Sequence, residues 1–136
     1  MRFADTNVLL YSVSTLPAEA GKAATARALL KEGDLALSVQ VLQEFYVQAT
    51  RPSRPDPLTH EEAVAFMRTW RRFFVQELTV ALLDDALFLK ARYQLSYWDS
   101  AIIAAARLSG CREVISEDMN AGQDYGGVTV VNPFAA

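Results

Sequence analysis

The sequence predicts an α/β fold in which helices cover a central, mostly parallel sheet of short strands. Short apolar segments that suit strands alternate along the chain with longer segments whose apolar residues recur at helical spacing. The predicted strands are almost continuously apolar, as expected where both faces of a sheet are buried. A length of 136 residues, 51% of them hydrophobic, suits a single domain over residues 1–136 with its own core.

In the first half of the chain, capping residues, glycine and proline mark the ends of the predicted elements. Asp5 separates the first strand from a helix, Gly33 ends an alanine-rich helix, and Thr59 opens a capping box. Three prolines within residues 51–57 indicate a surface loop, because proline cannot continue a helix. The predicted elements are strands at 2–4 and 35–38 and helices from 6, from 17 to before 33, at 40–50 and at 59–72.

The second half continues the alternation. We expect a strand at 74–78, a helix at 80–94, a very apolar helix that begins at Ser96 or Trp98 and stops at Gly110, and strands at 113–116 and 128–131. Asp84 and Asp85 fall in the first two turns of the helix at 80–94. Acidic side chains there favour the helix dipole, and we expect only that role for them.

Composition excludes several classes of protein. The one cysteine, Cys111, allows no internal disulfide or cysteine-based metal site, so we expect it to be buried in a cytoplasmic protein. The one histidine, His60, provides no zinc cluster and poor support for a Ser-His-Asp triad. We expect no membrane span and no signal peptide. The net charge of −3 is unlike the basic face typical of nucleic-acid binding.

Four acidic residues lie where parallel β-α units place ligand sites. Asp5 follows the first strand and Asp118 follows the strand at 113–116, while Glu44 and Asp99 lie in helices that begin at the same edge of the sheet. Carboxylates brought together repel one another unless a cation lies among them, and oxygen ligands favour Mg²⁺ or Mn²⁺. Such an ion activates water and neutralises charge on a phosphoryl group, so phosphodiester hydrolysis suits these residues best.

Each acid also has a purely structural interpretation. Asp5 suits a helix cap, Asp99 the first turn of a helix, Glu44 a solvated helix face and Asp118 a turn. From the residues alone, both interpretations remain open.

Four motifs resemble those of PIN-domain nucleases, in the order in which that family has them. They are DTNVLLY at 5–11, QEF at 43–45, YWDSAIIAAA at 97–106 and ISEDM at 115–119, which the Gly-Gln pair at 122–123 continues. The resemblance covers essentially the whole chain. In length and motif wording the chain resembles most the VapC-type toxins of toxin–antitoxin modules. One departure is Asn120, where many relatives have a second acid.

The resemblance implies a three-layer α/β/α sandwich and RNA cleavage that depends on Mg²⁺ or Mn²⁺. It also implies a homodimer and a cognate antitoxin that blocks the site, with DNA contacted only through the antitoxin. Asp5 and Asp99 would be the principal metal ligands, and Glu44 and Asp118 would complete the site directly or through water. Supporting hydrogen bonds are assigned to Thr6, Asn7 and Ser116.

Possible RNA and antitoxin contacts follow from charge and apolar surface. Candidate phosphate contacts are Arg51, Arg54, Arg68, Arg71 and Arg72, for each of which a solvated face is the structural alternative. We hypothesise that Arg51 or Arg54 borders the RNA groove. Core packing is favoured over base stacking for Trp98, and core or dimer roles for Tyr11 and Tyr46. The antitoxin would use the helices at 18–31 and 40–50. Two further acids, Glu117 and Asp124, are expected to be surface residues.

Three alternatives remain. The chain could be a PIN nuclease of RNA processing without a toxin role, or a non-catalytic module that binds RNA or a partner. A response-regulator receiver domain also clusters acids at strand ends, but it requires an acidic pair near the N-terminus, where this chain has Asp5 alone.

Overall fold

The computed structural model describes residues 1–135 and contains a six-stranded sheet. The strands are β1 (Arg2–Ala4), β2 (Leu35–Ser38), β3 (Phe74–Gln76), β4 (Glu113–Ile115), β5 (Asp124–Tyr125) and β6 (Val128–Val131). Their spatial order is β3-β2-β1-β4-β6-β5. Every neighbouring pair is parallel except β5 and β6, which are antiparallel.

Six α-helices connect these strands and flank the sheet. They are α1 (Thr6–Ser12), α2 (Ala20–Glu32), α3 (Val39–Ala49), α4 (His60–Trp70), α5 (Val80–Tyr93) and α6 (Tyr97–Leu108). Hydroxyl side chains at the N-caps of α3 to α6 each accept a hydrogen bond from a backbone N–H in the first turn. The predicted α/β fold with a mostly parallel central sheet is therefore confirmed.

The structure differs from the sequence prediction at a few element ends. A 3₁₀ turn at Pro17–Glu19 precedes α2, and the short strand β5 was not predicted. Asp85 lies in the second turn of α5, within the two turns predicted, and it also pairs with Arg107 at 3.3 Å, a contact that the sequence did not predict. The fourth predicted strand ends one residue early, at Ile115, which leaves Ser116 in the loop beyond it.

The chain order of the strands creates a crevice at one edge of the sheet. From the central β1, the chain builds outward through β2 and β3 on one side, and β4 and β6 then fill the other side. The connection that leaves β1 runs to β2 on one side, and the connection from β3 to β4 returns to the other side of β1. The carboxyl ends of β1 and β4 therefore flank a topological switch point, where α/β folds bind ligands. Fully buried Phe3, Leu37 and Ile115 hold these strands in the core.

The remaining core agrees with the composition. Cys111 is buried, as predicted. None of the helices in residues 1–135 is long and apolar enough to span a membrane.

Candidate active site

Four acids from four separate segments line one pocket at the switch point. The pocket has a volume of about 280 Å³, and its lining includes Asp5 after β1, Glu44 in α3, Asp99 in α6 and Asp118 after β4. We call it the acid pocket. The structure thus brings together all four residues that the sequence singled out.

Asp5 is both a helix cap and a wall of the acid pocket. Its side chain is 6% exposed. One carboxylate oxygen, Oδ1, accepts the backbone N–H of Thr6 at 2.7 Å, and the other, Oδ2, accepts the hydroxyl of Ser116 at 2.7 Å. The capping and site interpretations therefore hold together, because the cap fixes the carboxylate in place.

Asp118 is held by the same small network. Asn7 Nδ2 donates to Asp118 Oδ2 at 3.1 Å and to Ser116 Oγ at 3.3 Å. The backbone N–H of Asp118 donates to Ser116 Oγ at 3.1 Å. Asn7 and Ser116 thus link the ends of β1 and β4. Thr6 contributes its backbone N–H, whereas its buried hydroxyl has no hydrogen-bond partner among residues 1–135.

The other two acids are carried by helices. Asp99 lies in the first turn of α6, and its backbone N–H donates to the capping Ser96 at 3.1 Å. Glu44 Oε1 accepts Gln40 Nε2 at 2.7 Å, and the same amide reaches the backbone carbonyl of Trp98 at 3.3 Å. Gln40 therefore links α3 to the start of α6.

The electrostatics of the acid pocket disfavour further negative charge. Burial raises the pKa of Asp5 to about 6, and the carboxylates of Asp118 and Glu44 contribute to the rise. The hydrogen bonds from Ser116 and Thr6 oppose it. Burial and the charge of Asp118 also raise the pKa of Asp99. A cation in this pocket would relieve the mutual repulsion and favour the ionised forms.

The donor set fits a hydrated hard cation. Within residues 1–135, no three acidic, histidine or cysteine side chains are already spaced to enclose an ion. Mg²⁺ commonly keeps several of its waters and takes one or two carboxylates, so an enclosing set is not required. The buried hydroxyl of Thr6, which lines the acid pocket without a partner, is a further oxygen for a bound water.

The sequence did not predict a second ionic group that lies beside the acid pocket. Glu117, expected at the surface, lines the pocket, where its Oε2 lies 2.7 Å from Lys22 Nζ and its Oε1 accepts the hydroxyl of Tyr11. Burial opposes ionisation of Glu117, but these two hydrogen bonds lower its pKa. Its position next to Asp118 was the only signal in the sequence, since Lys22 is 95 residues away.

The predicted RNA contacts fall into two groups. Arg54 lines the acid pocket, and Arg51 lines an adjoining groove. Arg72 instead donates to the backbone carbonyl of Leu30 at 3.0 Å. Trp98 lines both cavities and is 65% exposed, so the core-packing interpretation of this residue is wrong. Its position in the first turn of α6 places the indole outside the sheet–helix contact.

Solved structures with the same fold include a toxin–antitoxin complex and a toxin. A toxin–antitoxin complex from Klebsiella pneumoniae has a TM-score of 0.72 and 20% identity, with 100% of both chains covered. VapC20 of Mycobacterium tuberculosis, a toxin that cleaves the sarcin–ricin loop, has a TM-score of 0.67 and 22% identity over 87% of this chain and 92% of that one. FitAcB of Neisseria gonorrhoeae has a TM-score of 0.66 and 16% identity, with 100% of both chains covered.

The family comparison extends over most of the sequence. No curated protein matches the chain. The model of the PIN domain matches residues 2–122, a span that contains the acid pocket and all four of its predicted acids. The chain belongs to the PIN domain family.

Proposed function

We propose that this chain is an endoribonuclease dependent on Mg²⁺ or Mn²⁺, and the toxin of a toxin–antitoxin pair. The observation that carries the proposal is the convergence of Asp5, Glu44, Asp99 and Asp118 on one pocket at the switch point of a PIN domain. Oxygen ligands alone favour hard divalent cations, whose main use beside phosphate is hydrolysis.

We assign roles to the acids as the resemblance to PIN-domain nucleases implies. Asp5 and Asp99 hold the ion, and Glu44 and Asp118 complete its shell directly or through water. When bound, the ion supplies an ionised water and neutralises charge on the phosphoryl group. Ser116 and Asn7 keep the Asp5 and Asp118 carboxylates in place through their hydrogen bonds. The unpartnered hydroxyl of Thr6 donates to a water or a phosphate oxygen in the acid pocket.

The toxin assignment rests on the structural neighbours. The Klebsiella pneumoniae structure is a toxin–antitoxin complex and VapC20 is a toxin, which supports a toxin role and an antitoxin partner for this chain. We place the antitoxin along α2 and α3. An arginine from it that reaches the acid pocket would inhibit by replacing the cation, because guanidinium pairs strongly with carboxylates.

We also propose that the protein is a cytoplasmic homodimer. The outward face of α5 carries exposed apolar side chains at Val80, Leu83, Leu87 and Phe88. Contiguous apolar surface of this kind is typical of protein contacts. Light scattering of the wild type and of Leu87→Glu tests this contact, and an unchanged mass for the variant would argue against it.

The nuclease proposal is tested with mixed tRNA and mRNA. Incubation with Mn²⁺ should cleave RNA, and chelation or Asp5→Asn should abolish cleavage. Asp84→Asn, an exposed acid in α5 outside the acid pocket, is the matched control and should cleave normally. If the wild type cleaves no RNA under any of these conditions, the chain is a binding module and the nuclease proposal fails.

Expression in cells separates a toxin from a nuclease of RNA processing. Growth arrest that depends on Asp5 and is relieved by a small protein encoded next to this chain supports the toxin role. Normal growth together with RNA cleavage in vitro supports the processing role.

A further inference from the structure

A second groove, mainly apolar, continues from the acid pocket along α3. It has a volume of about 420 Å³ and shares three lining residues with the acid pocket, namely Glu44, Gln48 and Trp98. We call it the tryptophan groove. Its remaining wall includes Gln43, Val47 and Arg51. Because the two cavities share a wall, a ligand in one extends naturally into the other.

Apolar surface in this groove is exposed rather than packed. Trp98 is 65% exposed and Val47 is 57% exposed, on facing parts of α6 and α3. The backbone carbonyl of Trp98 accepts Gln40 Nε2 at 3.3 Å, and its ring meets Tyr97 edge-on at a centroid distance of 5.0 Å. The indole is therefore positioned but keeps a large area free to contact a ligand.

Charge and polar groups around the indole suit a nucleotide. Arg51 lines the tryptophan groove and Arg54 lines the acid pocket, so each of the two cavities that Trp98 borders has a guanidinium available for a phosphate. The side-chain amides of Gln43 and Gln48 offer both donors and acceptors to the edge of a base. An aromatic face, amides and flanking arginines are the groups with which proteins hold unpaired bases.

We infer that the tryptophan groove binds the unpaired nucleobase next to the phosphate held in the acid pocket, with the base stacked on Trp98. This inference rests on the proposed function, since it places an RNA strand across both cavities. A base in a duplex is already stacked on its neighbours, so the substrate at this position is single-stranded, as in a loop or a bulge. Arg51 contacts the phosphate on the far side of that base.

Tryptophan fluorescence tests the contact directly. The chain has two tryptophans, and Trp70 is buried at 3% exposure with its ring edge-on to Phe45 at 4.7 Å. Quenching by an added base therefore reports on Trp98. We expect single-stranded hexamers of uridine or adenosine to quench emission of the uncleaving Asp5→Asn protein in chelator. A hairpin-free duplex of mixed sequence should quench it much less, and Asp5→Asn/Trp98→Phe should lose the response.

Cleavage kinetics provide the second readout. Stacking of one base corresponds to roughly a 5- to 150-fold change in binding. We therefore expect Trp98→Ala to raise KM for a single-stranded substrate within that range, and Trp98→Tyr to restore most of the loss. Phe74→Ala, which removes an exposed aromatic ring on β3 outside both cavities, is the control and should leave KM unchanged.

The outcomes separate this inference from the proposed function. If the wild type cleaves RNA but hexamers leave Trp98 emission and the KM of Trp98→Ala unchanged, the base subsite is wrong and the nuclease stands. If hexamers quench Trp98 but no metal-dependent cleavage occurs, the subsite stands and the nuclease fails. If Trp98→Ala halves the mass in light scattering and hexamers do not quench the wild type, the groove is a protein contact and the inference is overturned.

Discussion

The hydroxyl of Ser116 donates to the buried carboxylate of Asp5 at 2.7 Å, across 111 residues of sequence. The same oxygen accepts the backbone N–H of Asp118 and the side-chain amide of Asn7. The side chain of Ser116, in the loop after β4, therefore holds acids on both sides of the crevice. Substitutions of Ser116 should affect both Asp5 and Asp118.

Replacing Ser116 with alanine should move the acid limb of the cleavage pH profile upward. The hydrogen bond from Ser116 lowers the pKa of Asp5 against burial, so its loss leaves the carboxyl protonated at higher pH. It also leaves Oδ2 of the buried Asp5 without its donor, which should cost about 1–3 kcal/mol of unfolding free energy. The checks are kcat/KM between pH 5 and 9 and urea unfolding. Ser109→Ala, whose hydroxyl bonds the backbone of α6, is the control. An unmoved acid limb would contradict the prediction.

Asp5→Asn should stabilise the protein in chelator at neutral pH. Between 3.8 and about 6, the folded chain keeps a proton on Asp5 that the unfolded chain has released. Unfolding free energy therefore falls as pH rises through this interval, by up to about 3 kcal/mol from this group. Asparagine avoids the loss, and its oxygen can still accept the N–H of Thr6. Thermal melts at pH 4 and pH 7.5 should show a gain of several degrees at pH 7.5 only. An equal gain at both values would show that the buried charge is not its cause.

Divalent cations should make the wild type more stable than Asp5→Asn, which is the reverse of the order expected in chelator. A ligand that binds only the folded state adds about 2.7 kcal/mol at a concentration of one hundred times its Kd. Mn²⁺ should therefore raise the melting temperature of the wild type at pH 7.5 and leave that of Asp5→Asn nearly unchanged. Asp84→Asn should respond like the wild type. A shift of the same size in all three proteins would indicate binding outside the acid pocket.

Replacing Lys22 with methionine should weaken RNA binding without weakening cation binding. The ammonium of Lys22 balances the Glu117 carboxylate beside the acid pocket, and its removal leaves one more negative charge near the phosphate path. We expect KM for RNA to rise a few-fold while the Mn²⁺ concentration for half-maximal cleavage stays level or falls. Lys22→Met/Glu117→Gln restores the local charge and should recover KM. No recovery in the double variant would refute the electrostatic explanation.

Arg54→Ala should weaken binding of the uncleaving Asp5→Asn protein to RNA and make that binding less sensitive to salt. A lost phosphate contact lowers the slope of log affinity against log salt by about 1. Fluorescence anisotropy of a labelled single-stranded RNA across a salt series measures both quantities. Arg68→Ala, an exposed arginine in α4 outside the acid pocket, should leave slope and affinity unchanged. Equal slopes for the two variants would remove Arg54 from the RNA path.

Much of the architecture could be predicted because its signals are local. Hydroxyl caps such as Thr59 indicate where helices begin. A buried strand is a short apolar segment regardless of which strands it pairs with. Asp5 was identifiable because a strand end and a helix start meet there. By contrast, β5 is two residues long and has no period to detect.

The sequence did not predict the contacts or exposure of residues whose environment depends on parts of the chain far away in sequence. The ion pair between Lys22 and Glu117 joins two positions with no local relation. Trp98 belongs to a very apolar helix, so its sequence neighbourhood favoured burial. Its exposure depends on how α6 is rotated against the sheet, which is a property of the packed structure. Glu117 and Trp98 both line the acid pocket.

The four acids at the crevice span the chain from Asp5 to Asp118, and the strand that supports Asp118 pairs with β6 near the C-terminus. A growing polypeptide on the ribosome therefore lacks the complete pocket until the residues through β6 have been translated and have emerged. The RNA cleavage that we propose would therefore begin only after that point, because a shorter nascent chain would lack the site that could cleave the message being translated.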